Sequence, residues 1–155
     1  MAKATEAGKK VIVSNKKARF NYHIEETFEA GIALTGGEIK SIRQGKVSLE
    51  ESYISVYQGE LYLLQAHIAP YQFDTTVRYD PDRKRKLLMH KYEIDRLRGK
   101  VEAKGYTLVP TKMYFKRGYA KVEVALAKGK AAPDKRQTIK EREAKREAER
   151  AMKDR

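Results

Sequence analysis

Residues 21–46 read NYHIEETFEAGIALTGGEIKSIRQGK, and this stretch decides how the rest of the chain must fold. Phe20, Tyr22, Ile24, Phe28, Ala30, Ile32 and Leu34 are apolar at even positions, with Glu26 the only break. Asn21, His23, Glu25, Thr27 and Glu29 are polar at odd positions, the period of a strand with one face in a core and one in water. Glu29 therefore belongs to the wet face. So long a strand has to curve, and Gly31 supplies the kink that lets it curl into a small closed sheet.

Thr35-Gly-Gly-Glu38 follows as a capping box, the hydroxyl accepting an orphan amide and the carboxylate reaching back to the cap residue. Ile39 and Ile42 face inward, Gly45 ends the helix in the left-handed conformation, and Lys40 and Arg43 are presented outward.

Upstream, residues 1–14 are expected to be a flexible arm in which Val11 to Val13 can add an edge strand. Asn15-Lys16-Lys17-Ala18-Arg19 is a compact basic segment, readable as a solvated loop or a phosphate contact.

Downstream, Val47 to Tyr57 reads as a second strand with a bulge at Glu50 and Glu51, Gln58-Gly59 as a turn, and Glu60 to Ile68 as a third strand closed by Pro70. Tyr71 to Lys86 lacks periodicity and ends in Arg83-Lys84-Arg85-Lys86. Beside Tyr71, Phe73 and Tyr79, taken as exposed, these cations favour nucleic-acid contact over a solubilising patch.

Ile94, Leu97 and Val101 mark an amphipathic helix from about His90 to Lys104, stopped by Gly105. Tyr106 to Phe115 is a fourth strand, bent or placed at an edge by Pro110. After the Arg117-Gly118 turn, Ala120, Val122, Val124 and Leu126 alternate inward against outward Tyr119, Lys121 and Glu123. The fold expected is mainly β: an antiparallel barrel of the oligonucleotide-binding type over residues 15–127, with two flanking helices.

The chain has 155 residues, 34 Lys and Arg against 21 Asp and Glu, and a formal charge of +13. That excess on one domain points to a polyanion, either nucleic acid or an anionic membrane. No window approaches the roughly 20 apolar residues of a membrane span and no secretory leader is evident, so a cytoplasmic protein is expected. There is no cysteine, and His23, His67 and His90 lack ligand spacing, so neither a metal nor another cofactor is expected.

From Lys128 the composition changes. Residues 128–155 hold 11 Lys and Arg against 6 Asp and Glu, a basic tail interrupted at Ala131-Ala132-Pro133. Thr138-x-x-Glu141 reads as a second capping box, and Glu141 with Lys145 and Glu149 with Lys153 are favourable i, i+4 pairs. Ile139, Ala144, Ala148, Ala151 and Met152 are too little apolar surface to dock the tail, which is expected to be disordered alone and helical against a polyanionic partner. It lacks the bulky apolar face of a membrane-surface helix.

Several blocks in one order carry a resemblance: Asn15-Lys-x-Ala-Arg19, Ile24-Glu25-Glu-x-Phe-Glu-Ala-Gly31, Gly37-Glu-x-Lys-Ser41, Arg83-x-Arg-Lys-Leu-Leu88, Gly105-Tyr-Thr-x-Val109, Ala127-Lys-Gly-Lys130, Asp134-Lys-Arg136 and Ile139-Lys-Glu-Arg-Glu143. Together, over about Asn15 to Met152, they resemble bacterial small protein B, the SsrA-binding protein family. The resemblance implies an RNA-binding adapter of trans-translation, without catalysis. Its barrel would bind the tRNA-like part of transfer-messenger RNA and deliver it, with elongation factor Tu, to stalled ribosomes.

Carried over, Asn15, Glu29 and Leu88 fall on the RNA-binding face, and the basic segments extend that expectation to Lys16, Lys17, Arg19, Tyr22, His23, Lys40, Arg43, Arg83, Arg85 and Lys86. In the tail, Lys128, Gly129, Lys130, Asp134, Lys135, Arg136, Ile139, Lys140 and Met152 are expected to contact the ribosome at the decoding centre and empty message channel. Family members often carry an aromatic or histidine before Asp-Lys-Arg; here the residue is Pro133.

Two other readings remain open from the residues. A general single-strand-binding translation factor would carry similar charge without preferring folded tRNA-like RNA. A nuclease using His23, Glu25, Glu26 and Glu29 is opposed by alternation, which sends Glu26 to the opposite face.

Overall fold

A computed structural model describes residues 4–5, 9–74, 78–130 and 132–153. The strands are β1 (Ala4–Thr5), β2 (Lys9–Ser14), β3 (Tyr22–Ile32), β4 (Val47–Ser48), β5 (Tyr53–Tyr57), β6 (Glu60–Leu64), β7 (His67–Ile68), β8 (Arg85–Leu88), β9 (Thr107–Lys116) and β10 (Tyr119–Gly129). The helices are α1 (Lys16–Asn21), α2 (Gly36–Arg43), α3 (Lys91–Lys104) and α4 (Ala132–Lys153). All strand pairs are antiparallel, in the order β1-β2-β9-β10-β3-β8-β6-β5, and β5 returns to β9 through Ile54 opposite Leu108. The ladder thus closes on itself around Leu61, Leu63, Leu87, Met113, Val122, Val124 and Leu126, all buried.

The long strand holds a finding that alternation alone missed. On β10, Leu126 opposes Glu26 but its neighbour Ala127 opposes Ile24, so Glu25 is an extra residue, a β-bulge. Phe28, Ala30 and Ile32 enter the main core, whereas Tyr22 and Ile24 pack on the other side of the sheet with Ala18, Val109, Ala125 and Ala127. The bulge also moves His23, opposite Lys128, onto the side of the ladder that Glu26 occupies. Glu26 is therefore not isolated from His23, and instead pairs with Lys100 at 2.5 Å and Arg96 at 3.3 Å on α3.

The basic segment, readable as a solvated loop or a phosphate contact, folds as α1. Asn15 caps it, its side chain accepting from the Ala18 amide at 3.1 Å, and Ala18 seats the helix on the outer cluster. The capping box at Thr35 and Glu38 is present, Ile42 is buried, and Gly45 adopts φ +75°. Gln58-Gly59 and Arg117-Gly118 turn with positive φ at both residues, the backbone of tight hairpins.

Other boundaries differ from expectation. Residues 9–14 of the supposed arm are β2, paired along β9, while residues 1–3 and 6–8 lie outside the described ones. The second and third strands each divide: β4 pairs with β7 in a small separate sheet, and β5 with β6 in the main one. β8, read as the end of a loop, is the strand that links β3 to β6. β9 is central, flanked by β2 and β10, so Pro110 sits at a bulge and not at an edge.

Candidate nucleic-acid interface

Where β3, β10 and β9 run side by side, their outward residues form one polar surface. Glu29 opposes Glu123, which opposes Lys112, and Lys121 opposes Tyr114. Tyr114 is only 1% exposed although it lies on this outer face. The Lys9 amine stands 4.9 Å and the Lys112 amine 5.9 Å from its ring centroid, cations held on an aromatic face. Its hydroxyl donates to Glu29 Oε2 at 2.6 Å, and Lys116 Nζ approaches the same oxygen at 3.4 Å. The Tyr114 bond, outweighing partial burial and helped by Lys116 and Lys121, holds the Glu29 carboxyl below the usual range. Burial, then the bond to Glu29, pushes the Tyr114 phenol upward.

A second acid balances the lower half of this face. Glu123 accepts from Thr111 Oγ1 at 2.5 Å and lies 3.8 Å from Arg19 and 3.9 Å from Lys112. Beside Glu29, Leu88 is 52% exposed, an apolar side chain at the edge of a groove shared with Gly31, Met89, His90, Glu93 and Lys121. The face thus offers cations, a carboxylate and an exposed aliphatic surface within one sheet. RNA recognised by shape, phosphates and hydroxyls calls for that combination.

Not every expected residue reaches this surface. Asn15 is 2% exposed, its amide nitrogen donating to Leu49 O at 3.1 Å and Pro110 O at 2.9 Å, so it braces α1 from within. Arg85 is fully buried, 2.6 Å from Glu38, and donates to Ala66 O and Pro81 O; it is a core residue. Arg83 binds the same carboxylate, and Tyr79, taken as exposed, donates inward to Glu38 and Ile68 O. Strand alternation disperses the run of four cations: Arg85 points in, while Lys86 points out and pairs with Glu60 at 3.3 Å. Lys84 lies 4.6 Å from the Tyr62 ring centroid.

The remaining residues surround the sheet. Lys16 is exposed on α1, and Lys17 pairs with Glu51 at 2.6 Å. Tyr22 is half-buried in the outer cluster, and His23 is exposed near Lys128, Glu25 and Tyr106. Lys40 and Arg43 project from α2 over the rings of Tyr71, at 5.3 Å, and Phe115, at 5.1 Å.

The folded sheet does not stop at Ala127, because β10 continues through Lys128 and Gly129, paired with His23 and Tyr22. The Lys130 amide then donates to Asn21 O at 2.8 Å. The tail, expected to lack structure by itself, is here the helix α4. Pro133 stands in its first turn, where a missing N–H leaves no bond unmade, and Thr138 lies inside the helix and not at its cap. Arg136, Ile139 and Lys140 are exposed, and Arg142 sits 5.4 Å from the Phe20 ring centroid, tying α4 to α1. The side chains of Asp134, Lys135 and Met152 lie outside the described ones.

Tyr114, Lys112, Lys116 and Lys9 were not anticipated. The available signal was the outward alternation of β10, since a neighbouring strand must present its own outward residues beside Lys121 and Glu123. Among the described residues no group of three or more His, Asp or Glu could hold a metal ion, and no helix is long and apolar enough to cross a membrane.

Comparison with known proteins agrees with this architecture. The SsrA-binding protein of Trichodesmium erythraeum is 54% identical over 154 residues, 99% of both chains. That of Shouchella clausii is 52% identical over 155 residues, 100% of this chain and 98% of its own. A solved chain described as "tmRNA-SmpB: a journey to the center of the bacterial ribosome" is 53% identical, covers 82% of this chain and 93% of itself, and superposes with a TM-score of 0.65. The family profile described as SmpB protein matches residues 12–154, and the chain therefore belongs to the SmpB family of SsrA-binding proteins.

Proposed function

We propose that this protein is the RNA-binding adapter of trans-translation, its closed sheet an oligonucleotide-binding barrel that grips the tRNA-like part of transfer-messenger RNA. The reading rests most on the outer face of β3, β10 and β9, where Glu29, Lys121, Lys116 and exposed Leu88 adjoin. It is supported by relatives named for SsrA binding and by a related chain described with tmRNA and the bacterial ribosome. Lys16, Arg19, Lys40 and Arg43 extend the basic surface, while His23 lies on the other side of the β3–β10 ladder from Glu29. Delivery to stalled ribosomes, alongside elongation factor Tu, is a bacterial cytoplasmic task, and the protein acts in it as a monomer without metal or other cofactor.

The tail completes the adapter. Lys128, Gly129 and Lys130 lead from the sheet into a helix whose Asp134, Lys135, Arg136, Ile139, Lys140 and Met152 engage ribosomal RNA in the decoding centre and empty message channel. At that site Pro133 offers a saturated ring for packing against a base face in place of an aromatic stack.

Competition binding tests the reading against a general single-strand binder. A transcript of the tRNA-like part of transfer-messenger RNA is expected to displace labelled tRNA-like RNA at least tenfold more effectively than a random single strand of equal length. Equal displacement would favour the general binder.

A further inference from the structure

The arrangement around Glu29 is asymmetric. Tyr114 and Lys116 both meet Oε2, and Oε1 has no hydrogen-bond partner among the described residues. A carboxylate between Lys116 and Lys121 would ordinarily turn to share both oxygens with the ammonium groups, because lysine is a mobile point charge on a flexible stem. The phenol prevents this: it is a neutral donor on a buried ring, over which the ammonium groups of Lys9 and Lys112 stand, so its hydroxyl is held by packing and not by the surface charges. One oxygen is fixed from beneath while the other stays available as an acceptor.

We propose that Tyr114 is a positioning residue for RNA binding, which clamps Oε2 of Glu29 so that Oε1 faces the RNA as an acceptor for a ribose hydroxyl or base amine. The proposal rests on the reading above that Glu29 contacts transfer-messenger RNA. It assigns to a buried tyrosine a part in recognition that exposure alone would not suggest.

The test uses the full chain and a transcript of the tRNA-like part of transfer-messenger RNA, with Tyr114→Phe, Glu29→Gln and the double variant compared at fixed salt. The other charged or titratable groups around the carboxylate remain in every variant: Lys116, Lys121, Glu123 opposite it on β10, and Glu93 and His90 along the groove. Tyr114→Phe is expected to weaken binding about tenfold, the scale of one hydrogen bond to a charged group. The double variant is expected to bind no more weakly than Glu29→Gln, and the Glu29 carboxyl, followed by carbon NMR, to titrate at higher pH in Tyr114→Phe.

Full affinity in Tyr114→Phe beside a weakened Glu29→Gln would overturn the clamp and leave the RNA-facing role of Glu29 intact. Additive losses would overturn it too, marking the phenol as merely structural. If Glu29→Gln bound like the unaltered chain, the reading of the face would itself fail.

Discussion

At the scale of single residues, a second electrostatic feature lies in the interior, around one acid. Glu38 is buried, yet it accepts from the Thr35 amide, Tyr79, Arg83 and Arg85. Burial pushes its carboxyl up, but the bonds from Arg83, the Thr35 backbone and Arg85 together bring it down to about 2. Its unfolded value is near 4.5. A depressed carboxylate adds stability that is complete above the unfolded value and is lost as pH falls through the folded one. Urea midpoints are therefore expected to hold above about pH 5 and to decline toward pH 2, by a loss on the order of 2–3 kcal/mol. Glu38→Gln is expected to remove about 3–5 kcal/mol at pH 7, because Arg85 stays buried without its counter-charge. A variant as stable as the unaltered chain would show the network to be dispensable. None of this was visible in Arg83-Lys84-Arg85-Lys86 as a string of like charges, since alternation within a strand decides which cation turns inward.

At the scale of elements, what repeats along the chain was readable and what interrupts it was not. The Thr35 box, the stop at Gly105 with φ +68°, the Arg117-Gly118 turn and the inward row of β10 each follow from a local rule, and each is present. The bulge at Glu25 follows from no local rule. It appears only once β10 is laid beside β3, because a strand does not reveal its own register. The same limit hid β8, whose four residues acquire meaning from β3 on one side and β6 on the other. Deleting Glu25 is expected to straighten the ladder while leaving Ile24 opposite Ala127 and Tyr22 opposite Gly129, because the residue next to inward Glu26 then points outward. A loss of no more than about 1–2 kcal/mol in denaturant titration, with RNA binding retained, is the outcome expected. A larger loss would mean that the twist the bulge adds is needed to seat α1.

At the scale of the whole molecule, a closed sheet and an appended helix meet, among the described residues, near α1. Lys130 reaches Asn21 through the backbone and Arg142 reaches Phe20 through its guanidinium, both near α1. The boundary that composition placed at Lys128 belongs after Lys130, since cutting at Ala127 would remove the last rungs of β10. A chain ending at Lys130 is expected to keep its thermal midpoint within a few degrees and its affinity for tRNA-like RNA within about threefold, while peptide tagging on stalled ribosomes is abolished. If RNA affinity collapsed instead, the helix would be the principal binding element.

One mechanical consequence follows from how β10 is built in. It is laddered to β3 on one edge and β9 on the other, and it runs without a break from the hairpin turn into the segment that leads to α4. Tension applied to that segment along the strand axis loads its rungs in shear, all sharing the force, instead of peeling them apart in turn. A partner hauling on the far end would drag Glu29, Tyr114 and their neighbours along as one rigid plate.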